Sequence, residues 1–206
     1  MSNHLALAAV TRTIQAVVQD AAAAAVSGAR VLTRRPDKAG DAGQEDAVVS
    51  LFLLAVSPNE QWRNQDVPRG PRRIGLDLHY LLSFRGDETA FVPQRMLGAV
   101  VAALHARPVL ARDTISAALG ADGAASPLAA SDLADQLESL TVSLEPISIE
   151  ELSRTWSVLL QVPYDLSVVY LASAVLIDAA PEIPAAPPVR EDGVVIRVDR
   201  RAGAPA

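Results

Sequence analysis

From Ile74 to Arg85 the chain alternates with a period of two. Ile74, Leu76, Leu78, Tyr80, Leu82 and Phe84 fall on one side, and Gly75, Asp77, His79, Leu81, Ser83 and Arg85 on the other. Only a β-strand sends successive side chains to opposite faces, so this run predicts a long strand with one face on a core and one mixed face. A sheet with one covered face and one left for solvent or a partner accommodates such a strand.

A second run, Ala47 to Val56, is apolar on both sides except for Ser50, which predicts a strand inside a sheet covered on both faces. Residues 136–145 alternate, with Leu140, Val142 and Leu144 opposite Ser139, Thr141 and Ser143, and predict a third strand. Tyr164 to Ile177, rich in β-branched and aromatic residues, predicts a fourth that crosses the sheet. Ala29 to Arg35 is a shorter candidate.

Helical periodicity fills the gaps. Leu7, Val10, Ile14, Val17, Val18, Ala21 and Ala25 step by three and four over Asn3 to Val26, with Ser2 or Asn3 as cap and Gly28 as stop. Phe91, Met96, Leu97, Val100, Val101 and Leu104 form a stripe over Ala90 to Ala106, which Pro108 ends, with His105 near the C-terminal dipole. Asp113 to Leu119 is a short helix. Ser148 and Glu151 make a capping box, with Ile147 and Leu152 spaced as a hydrophobic staple, opening a helix to about Leu160 that turns Leu152, Trp156 and Leu159 or Leu160 inward. These elements predict an α/β (α+β) domain over residues 1–179. Its sheet is mixed or mostly antiparallel, with about four long strands and helices packed on it.

Residues 37–46 and 120–126 read as loops, and Ser57 to Arg73 as a long polar loop around Trp62. Beyond Asp178 the prolines 181, 184, 187 and 188 predict an extended linker in residues 180–206, ending in a short partner-binding or edge strand through Val194, Ile196 and Val198.

With 206 residues, one main domain is the expectation. A net charge of -6 argues against a nucleic-acid partner, despite the Arg63, Arg69, Arg72 and Arg73 cluster in the polar loop. The absence of cysteine removes disulfides and thiolate chemistry and fits a protein that folds in a reducing cytoplasm. The N-terminal apolar stretch lacks a basic leader and is interrupted by Arg12, Gln15, Gln19 and Asp20, so it reads as helix rather than signal peptide or membrane span.

Chemistry is sparse. No phosphate loop, dinucleotide turn or nucleophile elbow is present, and no cofactor is expected. Asp77 and His79 share a strand face, so a carboxylate-oriented imidazole is the best catalytic candidate. A nucleophile or metal partner is missing from the local sequence, and a structural hydrogen bond is the plainer reading. A histidine metal site would need His4, His79 and His105 to converge. Trp156 reads as core, whereas Trp62, in the polar loop, is the candidate anchor for an interface.

Taken in order, several motifs make the chain similar to a known family, the cap proteins or tube and sheath terminators of extracellular contractile injection systems. They begin with Arg63-Asn64-Gln65-Asp66, then Leu76-Asp77-Leu78-His79-Tyr80-Leu81-Leu82-Ser83, Leu97-Gly98, Ala103-Leu104-His105 and Pro108-Val109-Leu110. They continue with Leu144-Glu145-Pro146, Ile149-Glu150-Glu151-Leu152-Ser153, Trp156-Ser157 and Tyr164-Asp165-Leu166-Ser167-Val168-Val169-Tyr170, so the resemblance covers roughly Leu5 to Asp178. It implies a structural protein with the fold of phage tail terminators. Such proteins form a six-fold ring that closes the inner tube and ties the last sheath ring to it. Self, tube protein and sheath protein are then the partners, with no membrane, and assembly is cytoplasmic on a particle that is released or stays in the cell. The candidate contacts are Trp62, Arg63, Asn64, Asp66, Arg72, Arg73, Val194, Ile196 and Val198. The alternatives are a small hydrolase-like enzyme using Asp77 and His79, and an adaptor that binds a peptide along a sheet edge.

Overall fold

A computed structural model describes residues 3–36, 46–62, 72–121, 123–136, 138–159 and 163–179. The predicted α+β class holds. In chain order the elements are helix α1 (Ala6–Ala25), strands β1 (Arg30–Leu32), β2 (Val48–Pro58) and β3 (Arg72–Arg85), helix α2 (Val92–Ala106), and strand β4 (Val109–Leu110). There follow helix α3 (Arg112–Gly120), a 3-10 turn at Leu133–Asp135, strand β5 (Leu140–Glu145), helix α4 (Ile149–Val158) and strand β6 (Leu166–Ala179).

The strands form one sheet in the order β1-β2-β3-β6-β5-β4. The predicted organising strand, β3, lies near its middle. β2 pairs antiparallel along it from Val48 opposite Arg85 to Pro58 opposite Leu76, and β6 from Leu166 opposite Phe84 to Ala179 opposite Arg72. β1 is parallel to β2 over three residues, and β4 and β5 extend the other side antiparallel. Six strands exceed the expected four because β1 and β4 are short edge pieces.

Period two in β3 sorts the two faces as the sequence predicts. Leu78, Tyr80, Leu82 and Phe84 are sealed in the main core under α1 and α2, joined there by Val10, Ile14 and Val18 of α1 and Met96, Val100 and Leu104 of α2. Ala9 and Ala22 are fully buried on α1, so the small residues that favour the helix also let it approach the sheet closely. Tyr80 Oη reaches Thr11 Oγ1 at 2.8 Å, giving the buried phenol a partner. Burial pushes the Tyr80 hydroxyl up to about 12, because the charged phenolate would be stranded in the core.

The opposite face carries a smaller apolar cluster, Leu81, Val169, Trp156 and Leu159, flanked by Phe52, Leu54, Ile147 and Leu152. This is where α4 packs. Its start is the predicted capping box: Ser148 Oγ accepts from the Glu151 amide at 3.2 Å, and Glu151 Oε2 accepts from the Ser148 amide at 3.0 Å. Trp156 is core as expected, and its indole N–H donates to Ser167 Oγ at 3.1 Å.

Five expectations need correction. β2 is buried on both faces only over its first residues, Val48 to Leu51, and farther along Ala55 and Val56 are exposed. The polar loop is shorter than read, because Ser57 and Pro58 extend β2 and Arg72 and Arg73 begin β3. β5 starts at Leu140 rather than at residue 136, because the Gln136 side-chain amide, not its backbone, meets β6. Leu144 is 54% exposed, beyond the reach of α2 and the core. Phe91 leaves the α2 stripe, standing in a left-handed conformation (φ 54°) at the helix start, and is 65% exposed. The turn before it, in which Asp87 Oδ1 accepts from the Thr89 amide at 2.8 Å and the Thr89 hydroxyl at 2.6 Å, fixes the helix start at Val92.

Candidate functional site

The back face of the sheet, past the edge of α4, is where the polar residues singled out in the sequence collect. Two bulges shape it. On β2 the register shifts at Leu54, and on β6 an additional residue opposite Asp77 leaves Ala174 at φ 66°.

Asp77 satisfies this second bulge. Its Oδ1 accepts from Ser173 Oγ and Asn59 Nδ2, both at 2.8 Å, and from the Ala174 amide at 3.4 Å. Asn59 is itself 6% exposed, and its Oδ1 accepts from the amides of Gln61 and Trp62 at 3.1 and 3.3 Å. One carboxylate therefore ties together β3, the β6 bulge and the turn that leads out of β2. Trp62 rests on Gly75: a Cβ there would collide with the Trp62 side chain, so glycine is what lets the indole lie against the strand. The ring is thus half-buried on its own fold rather than projecting as a free anchor.

His79 and Asp77 share the face but not a hydrogen bond. The carboxylate on His79 is Glu145 of β5, with Oε2 2.8 Å from Nδ1, and on its other side Ser57 Oγ lies 3.0 Å from Nε2. The expected Asp77–His79 couple is therefore corrected to a Ser57–His79–Glu145 array, and Asp77 is structural. Glu145 lies 66 residues from His79. The antiparallel pairing of both β3 and β5 with β6 brings the two together, so local spacing held no signal for it.

An open groove of about 1160 Å³ lies on the helical side, lined by Ala16, Ala103, Ala117 and Ala118 with Arg12, Asp20, Arg107 and Asp113 on its rim. Among the described residues no group of three or more His, Asp or Glu side chains converges to hold a metal ion. No described helix is long and apolar enough to cross a membrane.

Of the interface candidates, Arg73 is held by Asp178, Nε to Oδ1 at 2.8 Å, and Arg72 opens β3 opposite Ala179. Arg63, Asn64 and Asp66, and Val194, Ile196 and Val198, lie outside the described residues. The described ends of the polar loop, Trp62 and Arg72, leave and enter the same end of the sheet, next to exposed Val56 (43%) and Ile74 (46%). Exposed apolar side chains at this end of the sheet give a surface suited to a protein contact.

Comparison with solved structures places the fold. The chain is similar to a sheath/tube terminator, in the extended state, of an extracellular contractile injection system called PVC, with TM-score 0.53 and 18% identity over 94% of this chain and 64% of that one. It is similar also to the tube-terminating cap of the anti-feeding prophage, with TM-score 0.54 and 16% identity over 89% of this chain and 60% of that one. It thus spans just under two thirds of the length of each. No curated protein matches it. The model of one family, the Pvc16 N-terminal domain, matches residues 9–191, which include every described helix and strand except the first residues of α1. With nearly the whole fold inside that match, this chain belongs to the Pvc16 N-terminal domain family.

Proposed function

We propose that the chain is a structural cap, or tail terminator, of a contractile phage-tail-like injection system. It assembles as a ring of six copies that closes the inner tube and anchors the last sheath ring. The observation that carries this reading is the family match over residues 9–191, on a fold shared with a sheath/tube terminator and a tube-terminating cap. The composition supports it: an acidic chain with little chemistry and exposed apolar side chains at Val56 and Ile74 suits adhesion to protein rather than to nucleic acid.

The mechanism is steric and adhesive. Heterologous contacts repeat until something closes them, so a cap must match the last tube ring on one side and offer no matching surface on the other. The loop after Trp62, with Arg63, Asn64 and Asp66, and the start of β3 at Arg72 and Arg73 supply the ring or tube contact. Assembly takes place in the cytoplasm, with no membrane, nucleic acid or cofactor involved. Deleting the chain from a producing strain should give particles of uncontrolled length or detached sheath in electron micrographs. Normal particles of uniform length would overturn the reading.

The Ser57–His79–Glu145 array favours one other reading, a serine hydrolase. A fluorophosphonate probe separates the two. The cap reading expects no labelling of Ser57, whereas labelling that is abolished in Ser57→Ala would establish a nucleophile.

A further inference from the structure

The long strands of the sheet have outer edges that are treated in opposite ways. On β6, just past its pairing with β5, the Gln136 side chain takes the place of a strand: its Nε2 donates to the Ala174 carbonyl at 2.7 Å and its Oε1 accepts from the Leu176 amide at 3.0 Å. That edge is closed to another strand. On β2, nothing among the described residues pairs with the outer edge beyond Ser50, where β1 ends. Soluble proteins shield such edges with charge, and β2 from Val48 to Pro58 carries no charged residue. The bulge at Leu54 and the missing N–H of Pro58 narrow the open run to about Leu53 to Ser57 without removing it. Within it Ala55 is exposed and Val56 is 43% exposed.

We infer that this β2 edge is a strand-acceptor site filled by the Val194 to Val198 segment of a neighbouring copy. The inference rests on the ring proposed above and names its clasp. Val194, Ile196 and Val198 alternate with Val195 and Arg197, the pattern of a short strand with one apolar face. Both β2 and β6 run antiparallel to β3, so the chain leaves β6 at the end of the sheet where β2 finishes at Pro58. A strand docked outside its own β2 would lie about three strand spacings from β6, roughly 14 Å. Residues 180–193, with prolines at 181, 184, 187 and 188, have the composition of a stiff spacer that reaches roughly 40 Å at about 3.1 Å per residue. A spacer of that reach overshoots its own edge and suits the next subunit. Main-chain hydrogen bonds then supply affinity, and Val56 receives an apolar neighbour.

The chain has no cysteine, so engineered thiols report without background. Full-length chains with a single cysteine at Leu53, Ala55 or Ser57 are mixed with chains carrying Ile196→Cys and oxidised. The expected result is a disulfide-linked dimer from one of these mixtures, and a lower mass by light scattering for full-length Ile196→Asp than for the unaltered chain. Chains that carry one of these β2 cysteines together with Ile196→Cys are oxidised alongside, and cross-linking only within them would overturn the neighbour as donor. No cross-link together with an Ile196→Asp ring of unchanged mass would overturn the clasp and leave the ring standing. Monomers throughout, with no cross-link, would overturn both.

Discussion

One strand shows both faces of this molecule. Toward α1 and α2, Leu78, Tyr80 and Leu82 of β3 are fully buried among aliphatic side chains. On the back, Leu81 is as deeply buried under α4, yet the next residues outward on that face, His79 and Asp77, sit in hydrogen-bonded arrays that remain partly open. The front face is settled by burial, with the Tyr80–Thr11 pair as its polar contact on β3, and specifies the fold. The back face mixes one small apolar patch with polar groups that must find named partners, and those partners come from distant parts of the chain.

The largest break in the comparison should come from the front. Leu78→Ala removes a fully buried side chain, and urea unfolding should show a loss of about 2–5 kcal/mol. A loss under 1 kcal/mol would mean that the core is not where burial puts it. A pH titration probes the same face. Because the folded state holds the Tyr80 proton up to about 12 while the unfolded chain releases it near the ordinary value of 10.0, the unfolded chain binds fewer protons between them. The stability contributed by neutral Tyr80 is therefore complete below pH 10 and should fall by about 2–3 kcal/mol as pH rises toward 12. Tyrosine absorbance should show a late-titrating ring that advances to the ordinary range in urea.

On the back, Asp77→Ala strands the side chains of Asn59 and Ser173, and a loss of about 1–3 kcal/mol is expected, with faster proteolysis of the loop after Trp62. His79→Ala should cost less. If it costs more, the Ser57–His79–Glu145 array rather than Asp77 organises this face. The smallest effect belongs to Ser148→Ala, which removes the capping-box acceptor from an exposed helix start and should lower stability by about 1 kcal/mol in the same denaturation assay.

The contrast also marks what the sequence could reveal. Period two in β3, the length of β6, the stripe of α1 and the Ser148–Glu151 box were legible because each depends on spacings within one segment, and the structure keeps all of them. Gln136 was misread because a side-chain amide and a backbone strand leave the same alternating pattern beside them. The partner of His79 was illegible for another reason: two carboxylates, Asp77 and Glu145, were available, and the registers of both β3 and β5 on β6 put the distant one within reach. Phe91 looked like part of a helical stripe, but the Asp87 turn starts the helix one residue too late to bury it. The loop contacts at Arg63, Asn64 and Asp66 came from resemblance alone and stand as a proposal.

The most direct test of the account is the position of this chain on an assembled particle. A small internal tag in the exposed stretch 123–125 after α3, decorated with gold-labelled binder, can be located by electron microscopy on particles purified from the producing strain. The account predicts label at one end only, the end away from the baseplate. Label spread along the sheath, or particles of normal length that carry none, would contradict it.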